Sequence, residues 1–210
     1  MIRYPVLIVS ALVLMTGACA DPTRVPEAEQ YGPNPTLPAP RNALLPTVKI
    51  APATGWPAGQ TPTAAHGFQV AAFASDLDHP RWLYRLPNGD ILVAETNAPA
   101  RMARKRGLRD WIQGLVMKRA GARAPSADRI TLLRDADGDG TAESRTVFLE
   151  NLSSPFGMAL VGDRLFVANA DSLVAFPYRT GETTITAAPV KIADLPAGRN
   201  HHWTKSLVAS

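Results

Sequence analysis

The chain has 210 residues, with Lys+Arg 22 against Asp+Glu 18 and 46% hydrophobic residues. That apolar content excludes wholesale disorder, and a net charge of only +4 gives no ground for a nucleic-acid partner. A single cysteine excludes an internal disulfide framework and any multi-cysteine zinc or iron–sulfur site.

The N-terminus reads as an address. Arg3 precedes the apolar run Val6–Met15, and Thr16-Gly-Ala-Cys19 follows. This run is too short for a permanent membrane span and suits a signal-peptide core. The lone cysteine, behind two small residues, resembles a bacterial lipobox. Residues 1–18 are then a leader and Cys19 a lipidated N-terminus, which predicts export to the periplasmic side of a bacterial membrane and a lipid anchor in it. Thr16 stands where leucine is usual, and a plain secretory signal with an incidental cysteine is the alternative. Residues 19–65 read as a disordered tether. Ten of the 19 prolines fall between Pro22 and Pro62, and proline's fixed φ and missing N–H favour extended chain there.

The folded part, 66–210, repeats itself. The first unit has a β-type run Phe68–Phe73, then Asp76-Leu-Asp-His-Pro-Arg-Trp-Leu-Tyr-Arg-Leu86. The second has Thr146–Leu152, then Ser154-Pro-Phe-Gly-Met-Ala-Leu160. The third has Val190–Leu195, then His201-His-Trp-Thr-Lys-Ser-Leu207. The first two continue through Asn88-Gly-Asp90 and Gly162-Asp163, both hairpin signals, into Ile91–Ala94 and Leu165–Ala168. In the second unit strands are expected over 156–161, 164–169, 172–178 and about 190–195. Pro155 and His202 stand 47 residues apart, and Pro80 and Pro155 stand 44 apart once an insertion at 98–128 is set aside. A four-stranded unit at that period predicts an all-β fold, a β-propeller rather than a sandwich. A closed ring needs more blades than this length supplies. The expectation is therefore a truncated propeller of about two and a half blades, with Phe68–Phe73 as an outer strand and the run 201–207 opening a third blade.

Within the insertion, residues 101–119 carry seven Arg/Lys against Asp110 alone. Leu108, Trp111, Ile112 and Leu115 fall at helical spacing. This predicts a basic helix. It either meets anionic lipid or an acidic electron-acceptor protein, or it caps the propeller with Trp111 turned into the core. Further on, Asp135, Asp137, Asp139 and Glu143 place carboxylates at positions 1, 3, 5 and 9 of a loop, with Gly140 at the turn. Alternating carboxylates suit calcium, but Thr146 replaces the bidentate glutamate of an EF-hand and the flanks are strands. A weak calcium hairpin and a solvated Asp-Gly turn both fit.

Taken together, Asp78-His-Pro-Arg-Trp-Leu, Leu92-Val-Ala-Glu-Thr96, Arg129-Ile-Thr-Leu-Leu-Arg-Asp-Ala-Asp-Gly-Asp-Gly140, Ser154-Pro-Phe-Gly-Met158 and Asn200-His-His-Trp-Thr-Lys205 resemble the glucose/sorbosone dehydrogenase family. The resemblance covers about residues 66–210, the N-terminal half of a typical member. It implies a six-bladed propeller that binds pyrroloquinoline quinone and calcium and oxidises a sugar or aldehyde. In that family a loop histidine five residues before a leucine is the catalytic base. His202 stands in that relation to Leu207, with His201 as a neighbour at the cofactor. Other quinone and calcium ligands would lie beyond Ser210, so the chain alone is expected to be inactive. A non-catalytic propeller that binds protein or glycan, and a calcium-dependent lactonase on a similar propeller, are the competing readings. Here the His-His pair is simply a surface turn.

Overall fold

Eight strands and one α-helix form among the described residues. In the computed structural model, residues 25–37, 51–57, 59–99, 108–121, 124–197 and 202–209 are described. The chain divides into two compact units, Met1–Pro52 and Ala53–Ser210. In the first, the described residues hold one 3-10 turn, Glu27–Glu29. It is closed by Glu29 N–H donating to the Pro26 carbonyl at 3.0 Å.

The second unit contains two four-stranded antiparallel sheets, each in simple up-and-down order. The first holds β1 (Pro80–Arg85), β2 (Ile91–Glu95), β3 (Arg129–Arg134) and β4 (Ser144–Leu149). The second holds β5 (Met158–Val161), β6 (Arg164–Ala168), β7 (Ser172–Pro177) and β8 (Val190–Asp194). All four strands expected of the second repeat form within two residues of their predicted ends. The β5–β6 loop is two residues long, since Val161 pairs with Arg164. Its positive φ falls on the first central residue, Gly162 at 59°. That is the II′ pattern, whose twist matches the flanking strands.

Alternation divides each strand's side chains between two faces, and in β2 and β3 both faces are buried. Trp82 and Tyr84 of β1, Leu92 and Ala94 of β2, Ile130 and Leu132 of β3 and Phe148 of β4 pack against Met158, Leu165, Val167, Val174 and Phe176 of the second sheet. Each large apolar side chain buried in this way contributes about 1.5–3 kcal/mol. The first strands of the two sheets meet directly, with Leu160 N–H donating to the Tyr84 hydroxyl at 2.9 Å. The chain after β7 folds back over β4, where Ile185 N–H donates to the Phe148 carbonyl at 3.0 Å. Two successive meanders packed in this way give a partial, propeller-like all-β fold.

Three expectations are corrected. Phe68–Phe73 is not a strand. Phe68 is 74% exposed, and of this segment's backbone only the Phe73 carbonyl reaches the β3–β4 hairpin, accepting from Ala142 N–H at 2.9 Å. A β-rich composition makes no strand without an edge to pair with. Residues 202–209 likewise form no strand. They run past β5 with Gly157 N–H donating to the Lys205 carbonyl at 2.9 Å. The half blade is therefore extended chain. Finally, α1 (Leu108–Arg119) does lie between β2 and β3, but Trp111 points to solvent at 62% exposure.

Gly157 fixes where the 202–209 segment sits. A Cβ there would stand 2.5 Å from both Leu207 N and the Lys205 carbonyl, and backbone cannot step aside as a side-chain tip can. Gly157→Ala should cost about 1–3 kcal/mol and free the segment. A lowered urea midpoint together with faster proteolysis after Lys205 would show it, and unchanged cleavage would refute it.

Candidate functional site

The site is built where strands of both sheets begin. Pro80, Pro155 and His202 occupy the same phase of the repeat, so Arg81, Phe156 and Trp203 are equivalent positions. The fold brings these three together. Phe156 meets Trp203 edge to face, with ring centroids 6.2 Å apart, and Arg81 lies over the Trp203 ring at 5.5 Å. Trp82 closes the column against Phe156 at 5.0 Å. A cation over an indole face and tilted aromatic pairs are both favourable arrangements. His202 is exposed beside this column, and its carbonyl accepts from Lys205 Nζ at 3.0 Å. His201 and Cys19 lie outside the described residues.

The backbone is strained at this same end. His79, Asp128, Asn151 and Ser154 all have positive φ, between 46° and 59°, in a region that costs non-glycine residues about 1–2 kcal/mol each. Hydrogen bonds hold them there. Asp128 Oδ1 accepts from Ser126 Oγ at 2.6 Å and from Ser154 N–H at 2.9 Å. The His79 carbonyl accepts from Thr96 N–H at 3.2 Å. The His79 side chain lies in the same strained loop. Its Nδ1 is buried with no partner among the described residues.

Beneath this rim lies a charge cluster that carried no assigned role in the sequence. Glu95, at the end of β2, is fully buried. Arg129 grips both its oxygens, Nε on Oε1 at 3.1 Å and Nη2 on Oε2 at 2.9 Å. The Thr131 hydroxyl and Asp78 N–H also donate to it, and Arg145 Nη2 stands 3.8 Å from Oε2. Arg129 Nη2 also reaches Asp78 Oδ2 at 2.8 Å. Burial pushes the Glu95 carboxyl up, but the hydrogen bonds from Arg129, Thr131 and Asp78 outweigh it and hold it below the usual range. With both oxygens occupied, Glu95 is a structural anion and a poor proton acceptor. The sequence trace of it is an acid closing an apolar strand, opposite an arginine that opens the next.

The acidic loop lies at the other end of β3. Ligand atoms of Asp135, Asp137, Asp139 and Glu143 fall within 4.8 Å of one another. Asp135 already accepts from Gly138 N–H at 2.7 Å and Gly140 N–H at 2.9 Å. Thr141 N–H donates to Asp139 Oδ1 at 2.7 Å, and Ala136 N–H to Glu143 Oε2 at 2.7 Å. The oxygen set fits a hard cation, and it also satisfies itself as a run of Asx turns. A six-residue strand separates the loop from the rim, roughly 20 Å, so an ion here would act on the hairpin and not at His202. Near it Arg134 clasps Asp90 through two bonds, of 2.8 and 2.7 Å. The Arg134 bond first, then the Asn88 contact, offset burial and lower the Asp90 carboxyl from its ordinary value.

No helix among the described residues is long and apolar enough to cross a membrane. No curated protein matches the chain. Among solved structures, the holo form of the pyranose dehydrogenase PQQ domain from Coprinopsis cinerea is similar at 18% identity, with a TM-score of 0.47, over 69% of this chain. The chain spans 28% of the length of that one. The family described as "Domain of unknown function (DUF7133)" matches residues 64–186. More than half of the chain lies in that match, and the chain belongs to the DUF7133 family.

Proposed function

We propose that this chain is the N-terminal part of a lipid-anchored, exported quinoprotein dehydrogenase that oxidises an aldose or aldehyde, with His202 as the general base. The observation that supports it most is the convergence of Arg81, Phe156 and Trp203 from three equivalent repeat positions beside His202. A site fed by successive repeats lies where the first strands of a ring converge, the place a propeller offers a ligand.

The residues fit in kind. Pyrroloquinoline quinone is a flat polycarboxylate, and Arg81, Lys205 and the Trp203 ring face supply two cations and a stacking plane. When bound, the quinone supplies the two-electron sink that no side chain provides. His202 would take the proton from the substrate's C1 hydroxyl, or from a hydrated aldehyde, as hydride leaves the carbon. Imidazole is suited to that step near neutral pH. The Trp82–Phe156–Trp203 column would keep water off one side of the reacting atoms. Calcium, among the described residues, finds carboxylates in the loop of Asp135, Asp137, Asp139 and Glu143, where it would stiffen the β3–β4 hairpin. His201 would support the cofactor side, and an acidic protein would carry the electrons away.

The test is reconstitution of the full-length protein with the quinone and calcium. Quinone absorbance should co-elute with protein on gel filtration, and an electron-accepting dye should be reduced when aldoses are added. Protein that retains no quinone would overturn the proposal and favour a non-catalytic binding propeller. Calcium-dependent lactone hydrolysis without dye reduction would overturn it in favour of the lactonase.

A further inference from the structure

We infer that α1 is a second membrane contact, an interfacial helix whose outer face settles on an anionic lipid surface. At 3.6 residues per turn, Lys118, Trp111, Leu115 and Arg119 fall in that order around one arc of about 100°. All four are exposed, Trp111 by 62% and Leu115 by 53%. An indole and a leucine are thus bracketed by two cations on one side of the helix. The opposite side is partly covered, with Met117 there 38% exposed. Gly114 is buried and Val116, Ala120 and Gly121 are half-buried. The Arg119 carbonyl accepts from Ala53 N–H at 3.0 Å, and Gly121 packs so closely on Ala53 that a Cβ would stand 2.9 Å from its methyl. The apolar pair therefore lies on a different side of the helix from the Ala53 contact.

A soluble cap would turn Trp111 inward and leave cations alone outside. Among the helix side chains that are described, the largest apolar one, Trp111, is more exposed than Leu115 and Met117. Tryptophan and leucine flanked by Lys and Arg are the makings of an interfacial helix. The rings enter the headgroup boundary while the cations meet lipid phosphates. Residues 101–119 carry seven cations against one acid, so the attraction is to an anionic surface and falls with salt. An acidic protein would satisfy the cations but gives no reason for an exposed tryptophan and leucine side by side. Together with the anchor proposed above, on which this part rests, α1 would give the chain two contacts with the bilayer.

The full chain with Cys19→Ser, which removes lipidation, tests the helix by itself. It should float with vesicles of equal parts phosphatidylglycerol and phosphatidylcholine at low salt, and stay behind with pure phosphatidylcholine. Trp111→Ala with Leu115→Ala should lower the bound fraction at least about tenfold, and Lys118→Glu with Arg119→Glu should do the same. All four side chains are exposed, so an unchanged thermal melt would accompany the loss. Brominated lipid should quench fluorescence in the parent and quench it far less in Trp111→Phe. Equal vesicle binding by the double alanine variant would overturn the inference. So would quenching that survives Trp111→Phe, or capture on immobilised polyglutamate with no vesicle binding, which would assign the face to an acidic protein.

Discussion

Glu95→Ala is expected to destabilise the fold by about 3 kcal/mol, the lower end of what breaking a buried ion pair costs. The carboxylate is fully buried and fills the hydrogen-bonding needs of Arg129, Thr131 and the Asp78 N–H together. Removing it leaves Arg129 with Asp78 and partial solvent, since the arginine side chain is 25% exposed. That relief places the cost at the lower end. Glu95→Gln keeps the volume and part of the hydrogen bonding, and should cost about 1–2 kcal/mol. The pH dependence follows from the sign of the shift. The folded carboxyl is held below its unfolded value. Its stabilisation is therefore full above the unfolded value and is lost as pH falls through the folded one, a window that opens near pH 4 and runs downward. Asp90 is shifted in the same direction by Arg134 and adds to the same acid limb. Urea midpoints measured from neutral pH to about pH 3 should fall steeply in the parent and less steeply in Glu95→Gln. A Glu95→Ala protein as stable as the parent, or equal pH slopes in the parent and the glutamine variant, would show that the cluster does not hold the rim.

The parts of this fold legible in the sequence were those set by local rules. Asn88-Gly-Asp90 and Gly162-Asp163 announced hairpins because only a few residues adopt the backbone those turns need. Leu92, Ala94, Leu165 and Val167 announced strands because their spacing matches the pleat. Phe68–Phe73 looked equally β-like and formed nothing. Pairing needs a partner edge, and that is a property of the whole chain. Trp111 stayed open between core and surface for a related reason. Helical spacing identifies a stripe but not which side of the helix the domain occupies, and Gly114 and Gly121 turned out to mark the packed side. In the candidate site, the repeat phase pointed to positions 80–82, 155–157 and 202–204, and the fold brings Arg81, Phe156 and Trp203 from them into contact. The Glu95–Arg129 cluster escaped notice because its meaning depends on β2–β3 register, Glu95 opposite Arg129, across a connection that carries the 98–128 insertion.

That cluster and the strained rim belong to one mechanical arrangement. Left-handed backbone at His79, Asp128 and Ser154 persists only where neighbours overdetermine it. Asp78, next to His79, is pinned by Arg129, and Asp128 pins Ser154. The ion pair below therefore stiffens the loops above, on which the start of β1 and the approach to β5 depend. Loosening Glu95 should reach the aromatic column without touching it.

His202→Ala in the full-length, quinone-loaded protein is expected to lower kcat by about 10²- to 10⁴-fold, the usual worth of a positioned general base. Stability should change little, within about 0.5 kcal/mol, because His202 is exposed. The control is Arg81→Ala. This removes a cation from the column without removing a base, so it should weaken quinone retention and leave the rate of the remaining loaded enzyme close to the parent's. Loss of rate without loss of quinone in His202→Ala, and the reverse in Arg81→Ala, would separate proton transfer from cofactor holding. Full activity in His202→Ala would remove the base from this position, and a collapse in His201→Ala would move it one residue back. If both histidine variants kept their rate, the convergence of the three repeat positions would be a packing feature of the ring and the chemistry would lie elsewhere.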